Sequence, residues 1–381
     1  MTTRIKCDKI VTPYGVTDGY LYAESGKITE ISALCKPADT EYDYTGSYLV
    51  PGFIDIHTHG AGGHPFLTDD ESVVAAACDF HLAHGTTTIL PTLSASPIGV
   101  MEKSVAAIKR ARDNSLTRAN IVGAHLEGPY LSPRQSGAQC TDFITPPNAE
   151  EYVPLVEKYG NAIARWTYAP ENDEGGRFAS FITEQGIIAS AGHTDAKYPD
   201  ISDAISHGCG LITHLYSCTS TVTRDMGFRS LGVIESAFLR DELAVELIAD
   251  GKHLPRELVQ MIIKIKGTDK VILITDSLEI AGTDIKEGVM AGTEFIVEDG
   301  VCKLRDRSAF AGSVATADVL LRFIVCECGY SISDAVRMMC ENPAKLLGLN
   351  KGKLDTGYDL DAVVLSKELS VTSVFVGGKM I

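Results

Sequence analysis

Apolar, β-branched runs recur through the middle of the chain, each followed by a stretch with helical spacing. They fall at 51–57, 86–92, 121–127, 165–171, 187–193, 211–214, 243–250 and 271–276. Near-continuous apolar runs of this length suit strands buried on both faces of a parallel sheet. Helix signals lie between them. Thr68-Asp-Asp-Glu71 has capping-box spacing before an apolar run at 73–80, His84-Gly85 closes that helix, and Pro255 falls in the first turn of another. Eight β–α units in series predict an α/β fold, a (β/α)8 barrel of the TIM type. The alternative, a doubly wound open sheet, lacks a G-x-G-x-x-G after its first strand.

The two ends of the chain read differently. Short alternating segments with turn signals occupy 5–11, 19–24 and 27–31, and similar material returns only at 361–365 and 373–379. This predicts a small β-sandwich domain built from both termini, residues 1–50 plus 346–381, flanking a barrel at 51–345.

In such a barrel the active site is assembled at the C-terminal ends of the strands. Those ends carry His57 and His59, then Glu127, His193, His214, the Asp250-Gly-Lys-His253 segment, and Asp276. Residues i and i+2 of an extended chain point the same way, so His57 and His59 project together. Most strand ends bearing His, Glu or Asp, gathered into one cup, predict a metal site. Imidazoles and carboxylates without thiolates suit zinc first, with iron(II), cobalt or manganese as alternatives. Glu127, His193 and His214 make a three-ligand set with a position left for water. His57 and His59 could complete a second site bridged by Glu127, so one or two divalent metals are expected per subunit. Asp276 is placed to take a proton from water and pass it to a leaving group.

Composition narrows the partners. The 381 residues are 45% hydrophobic and 22% charged, ordinary for a globular protein. A net charge of -16 argues against nucleic acid or an acidic membrane surface, and it requires that any anionic ligand be held by local cations. No apolar run approaches the ~20 residues of a membrane helix. The first residues, Met1-Thr-Thr-Arg-Ile-Lys6, lack the apolar core of a signal peptide. Ten singly scattered cysteines with no C-x-x-C pair read as reduced thiols, hence a cytoplasmic protein.

The motifs His57-Thr-His59, His125-Leu-Glu-Gly-Pro129, Ala191-Gly-His193, Thr213-His-Leu-Tyr216, Ile248-Ala-Asp-Gly-Lys-His253, Thr275-Asp-Ser277 and Ala311-Gly-Ser313 together resemble the amidohydrolase superfamily. Within it the chain is most similar to the N-acetylglucosamine-6-phosphate deacetylases, in order over nearly its whole length. Many binuclear relatives carry a carboxylated lysine on the fourth strand. The segment Arg165-Trp-Thr-Tyr-Ala-Pro-Glu171 has none, which fits Glu127 as the bridge and disfavours dihydroorotase- or hydantoinase-like chemistry.

The resemblance implies hydrolysis of an acetamido group on an amino-sugar phosphate. A metal at Glu127, His193 and His214 would lower the pKa of water toward ~7, and Asp276 would shuttle the proton to the departing amine. It implies that His253, together with an arginine reaching across a homodimer, either Arg224 or Arg229, holds the phosphate. Ala138, Gln139, Ser217 and Cys218 fall at sugar-facing positions. There are departures: Ser217-Cys218-Thr219 replaces the family's usual Asn-Ala-Met, and Gln139 stands where some members have histidine. Two other readings stand beside this one. One is an amidohydrolase for a different N-acylated amino sugar, an N-acyl amino acid or a cyclic amide. The other is an inactive barrel serving as a binding scaffold, which the retained Asp276 argues against.

Overall fold

The computed structural model describes residues 2–290 and 292–381. The eight predicted runs form the barrel strands β1 (Phe53–Thr58), β2 (Thr86–Leu93), β3 (Ala124–Glu127), β4 (Ile163–Tyr168), β5 (Ile188–Ala191), β6 (Leu211–Ile212), β7 (Ala244–Ile248) and β8 (Val271–Ile274). They pair in parallel and in chain order from β1 to β8. The ring closes where the Asp276 N–H donates to the His57 carbonyl at 2.9 Å and the His59 N–H donates to the Ser277 carbonyl at 2.7 Å. Every residue of β1 and β2 is buried, including Asp55, His57 and the threonines among their apolar residues.

The third predicted strand is split. Asn120–Ile121 pairs separately with β2 before β3 begins. A Cβ at Gly123 would stand 3.0 Å from the Ala162 carbonyl oxygen and the Ala164 nitrogen, so the chain passes β4 too closely there for any side chain.

Both termini contribute to one eight-stranded sheet. Tyr48–Pro51, leading into the barrel, pairs in parallel with Thr2–Thr12 and antiparallel with Ala362–Leu365, joining the two ends of the chain. Ile5, Ile10, Leu21, Leu49, Val364 and Phe375 from these strands share one apolar core. The sheet therefore wraps a common interior, as the alternating pattern requires.

Two local expectations shift. The first barrel helix runs Glu71–Ala83 and is capped by Asp70, whose carboxylate accepts from Ser72 N at 2.8 Å, rather than by Thr68. Pro255 is the N-cap residue of the helix Arg256–Lys266 and not part of its first turn. Two elements have no counterpart in the sequence reading. One is an exposed hairpin, Thr223–Asp225 with Phe228–Ser230, and the other is a three-stranded antiparallel sheet, Glu287–Met290, Thr293–Glu298 and Val301–Leu304. Among the described residues no helix is long and apolar enough to cross a membrane.

Candidate active site

The strand ends deliver their side chains by a shared device. β5 ends at Ala191, β6 at Ile212 and β8 at Ile274, and in each case the residue two positions later is His193, His214 or Asp276. All three have positive φ, +47°, +27° and +48°. Non-glycine residues seldom adopt this left-handed region, and such strain gathers at functional sites. The turn swings each side chain inward over the mouth of the barrel, so three residues expected to extend their strands instead line one cavity.

Glu127 is the centre. Its Oε1 lies 3.3 Å from His57 Nε2, 3.1 Å from His193 Nε2 and 2.9 Å from His214 Nε2, and its Oε2 lies 3.2 Å from His59 Nε2. Asp276 Oδ1 stands 3.4 Å from His57 Nε2 and 3.3 Å from His59 Nε2. The structure thus brings together all six residues proposed for metal binding and proton transfer. One detail differs from expectation: His57 lies close to Glu127 Oε1, much as the expected pair His193 and His214 do. His57, Glu127 and His214 form one group of mutually close donor atoms; His57, His59 and Asp276 form another.

The far side of each ring is also fixed. His193 Nδ1 lies 2.9 Å from the Gln135 carbonyl and His214 Nδ1 3.1 Å from the Ser217 carbonyl. His57 Nδ1 faces Glu246 Oε2 at 3.3 Å, and His59 Nδ1 faces Ser94 Oγ at 3.1 Å. Carbonyls and carboxylates only accept, so the Nδ1 atoms of His57, His193 and His214 carry the hydrogens and Nε2 is left to meet a cation. His57 Nε2 is fully buried with no hydrogen-bond partner, although two carboxylates face it. A divalent cation among these Nε2 and carboxylate atoms fits the donor set.

The charges agree with this. Burial opposes a proton on His57, but Glu127, Glu246 and Asp276 outweigh it and lift its pKa to about 10. Burial likewise opposes a proton on His59, and Asp276 with Glu127 raises it to about 9. For His193, burial is outweighed by the Cys218 sulfur and Glu127, whereas burial leaves His214 below its ordinary value. Burial would raise Glu127 and Asp276, but the imidazoles around them hold both carboxyls below the usual range.

A cavity of about 280 Å³ opens onto these groups. It is lined by Ala138, Gln139, Ser217, Cys218 and His253, all anticipated, by Tyr216 of the Thr213-His-Leu-Tyr216 motif, and by Ser94, Leu278, Met290 and Phe310, which no motif singled out. The three-stranded sheet contributes Met290 to this wall. Asp250 Oδ2 lies 2.8 Å from His253 Nδ1, and the imidazole packs edge-on against Phe310 with ring centres 4.9 Å apart. Gln139 is committed on both sides: its Nε2 donates to Glu127 Oε2 at 2.7 Å, and its Oε1 accepts from Ala95 N at 2.8 Å. A Cβ on Gly137 would come within 2.4 Å of Cys218 Sγ, so the loop needs glycine to pass the sulfur. Arg224 and Arg229 do not reach this cavity. They stand directly opposite each other on the exposed hairpin, beside exposed Met226 and Phe228.

A family model described as the amidohydrolase family matches residues 48–381. The chain belongs to the amidohydrolase family. Its relatives within that family agree on a branch. The N-acetylglucosamine-6-phosphate deacetylase of Bacillus subtilis is 32% identical over 372 residues, covering 93% of this chain and 91% of that protein. Among solved structures, an N-acetyl-D-glucosamine-6-phosphate deacetylase variant from Mycobacterium smegmatis, in complex with N-acetyl-D-glucosamine-6-phosphate, superposes with a TM-score of 0.92 at 29% identity, covering 100% of this chain and 99% of that one. The Pasteurella multocida deacetylase superposes with a TM-score of 0.93 at 26% identity, covering 100% of both chains.

The sequence reading of this amidohydrolase missed the charged floor beneath the site. Arg165 of β4 and Glu246 of β7 are fully buried and paired across the barrel interior. The signal was present as single charged residues in the apolar strands Ala-Val-Glu-Leu-Ile and Ile-Ala-Arg-Trp-Thr-Tyr. Opposite charges in two buried strands imply that they meet. His125 lies in the same layer, between Thr92 Oγ1 at 3.1 Å and Thr167 Oγ1 at 2.7 Å, and its imidazole sits edge-on to His57.

Proposed function

We propose that this chain hydrolyses the acetamido group of N-acetylglucosamine-6-phosphate, giving glucosamine-6-phosphate and acetate. The observation that carries this is an ionised carboxylate, Asp276, on the wall of a cavity whose floor converges five cation-binding side chains. Glu127, His193 and His214, with His57 and His59 beside them, would hold one or two divalent metals per subunit, zinc first, with iron(II), cobalt or manganese as alternatives. Bound there, such a cation supplies the Lewis acid that acidifies water and polarises the acetyl carbonyl. Asp276 takes the water proton on its carboxylate and returns it to the amine nitrogen, which without it would have to leave as an amide anion. Hydrogen bonds that lock the Asp276 backbone to His57 and Ser313 hold that carboxylate over the site.

The phosphate needs cations in a protein of net charge -16. His253 lies in the cavity wall, and Arg224 and Arg229 project from a hairpin with apolar neighbours. We infer a homodimer in which one of these arginines enters the partner's cavity. The cytoplasm is the compartment that suits ten free cysteines.

Acetate release from N-acetylglucosamine-6-phosphate and from N-acetylglucosamine, before and after chelation, tests the function. Charge-assisted contacts contribute about 1.5–3 kcal/mol each, so the phosphorylated sugar should be favoured by about 10²-fold or more in kcat/KM. Equal turnover of the two sugars would remove the phosphate from the substrate. Arg224→Ala and Arg229→Ala should separate, one raising KM for the phosphorylated sugar by about 10–100-fold and the other leaving it near the parent value.

Metal uptake should also move protons. With pKa values of about 10 and 9, His57 and His59 are both protonated at pH 7.5 in the cation-free protein. Ligation requires neutral imidazoles, so metal uptake should release protons, and affinity should strengthen as pH rises. Calorimetry in buffers of different ionisation enthalpy reads this directly. An enthalpy independent of buffer would contradict it.

A further inference from the structure

The Arg165–Glu246 pair takes no part in the reaction above, yet it lies directly under the cation-binding side chains. Arg165 spends all three nitrogens. Nε donates to Ser190 Oγ at 2.9 Å, Nη2 to Thr213 Oγ1 at 2.7 Å and Glu246 Oε2 at 3.0 Å, and Nη1 to Glu246 Oε1 and to the Ile56 carbonyl at 3.3 Å. The other edge of Glu246 faces upward. Its Oε2 lies 3.3 Å from His57 Nδ1 and accepts from the His214 backbone N–H at 3.2 Å. One carboxylate oxygen thus touches two histidines of the site.

A buried ion pair is a poor stability device, since well-packed apolar residues often serve as well or better. Its presence in the barrel interior therefore asks for another reason, and His57 supplies it. Backbone carbonyls fix the rings of His193 and His214, and these survive any side-chain change. Among the described residues, the one hydrogen-bond partner of the His57 ring is Glu246, at Nδ1. An imidazole that carries hydrogen on Nε2 cannot ligate through that atom.

We propose that Glu246, clamped by Arg165, is the positioning residue that presents His57 Nε2 to a cation in the His57–His59–Asp276 group, and so decides whether the chain holds a second cation. This rests on the reading of His57 as a ligand. It makes a specific statement about Glu246→Gln, an isosteric change. Arg165 donates to both oxygens of Glu246, so a glutamine amide meets the guanidinium with one NH2 and the clamp loosens. His57 Nδ1 then faces at best a neutral amide oxygen in place of a carboxylate, and its hold on the imidazole hydrogen weakens.

The test is zinc binding by the full chain after chelation and reconstitution, with stoichiometry from elemental analysis and thermal unfolding recorded alongside. The parent should take up two zinc ions and His57→Ala one. Glu246→Gln should bind its second zinc about 10–100-fold more weakly, with the first little changed. The double variant Arg165→Met/Glu246→Leu, which replaces the pair by apolar volume, should fold and also lose the second ion. Two zinc ions bound with parent affinity in Glu246→Gln or in the double variant would overturn the proposal, and a lowered melting temperature with both ions kept would reduce the pair to a structural role. Two ions in His57→Ala, or a parent that takes up only one, would overturn instead the ligand reading beneath it.

Discussion

Asp276→Asn is expected to lower kcat by about 10²–10⁴-fold while the protein keeps its cations. The range is that of general acid–base catalysis by a positioned side chain. Asparagine fills the same space and retains an oxygen toward His57 and His59, but it can neither accept the proton from water nor return it to the amine. Because the imidazoles hold the Asp276 carboxyl below the ordinary carboxylate range, it is already ionised throughout neutral pH. Its protonation should therefore limit the parent only under acid conditions, as pH falls through that lowered value. Kinetics with elemental analysis on the same preparation decide the matter: full activity in the variant would remove the proton shuttle, and lost cations would make Asp276 a ligand.

Glu127→Ala should abolish cation binding altogether, taking activity to the uncatalysed background. Among the described residues, Glu127 is the only carboxylate whose two oxygens reach all four imidazoles, three through Oε1 and one through Oε2. Without it the four rings confront one another with Asp276 alone to offset a metal's charge, and the His193–His214 side keeps no anionic ligand. Full occupancy in this variant would contradict its place at the centre of the site.

Much of this site was legible because hydrophobic pattern reports burial, and burial in a parallel barrel fixes where strand ends must gather. His57, His59, Glu127, His193, His214 and Asp276 were among the strand-end residues chosen on that ground, and the structure sets the four imidazoles around Glu127 with Asp276 against two of them. How three of them arrive was not legible. Pattern carries no dihedral angles, so His193, His214 and Asp276 read as the last residues of strands rather than as left-handed turns beyond them.

Pairings between distant strands were equally hidden. Arg165 and Glu246 are 81 residues apart, and although each stands as a single charge in an apolar strand, only the fold shows which partner it meets. Gln139 was expected to meet the sugar; it lines the cavity, and its amide is held between Glu127 and Ala95, a pairing no local pattern showed. The arginine hairpin left no trace because every residue of its two strands is exposed, and a segment with no buried face has no period to read. In the fold both Arg224 and Arg229 remain outside the cavity.

The most direct measurement is anomalous diffraction at the absorption edge of the metal in crystals of the reconstituted protein. One peak is expected among Glu127, His193 and His214, and a second beside His57 and His59 on the other side of Glu127. Full metal content with no peak within bonding distance of Glu127 would contradict the convergence on which the proposed chemistry depends.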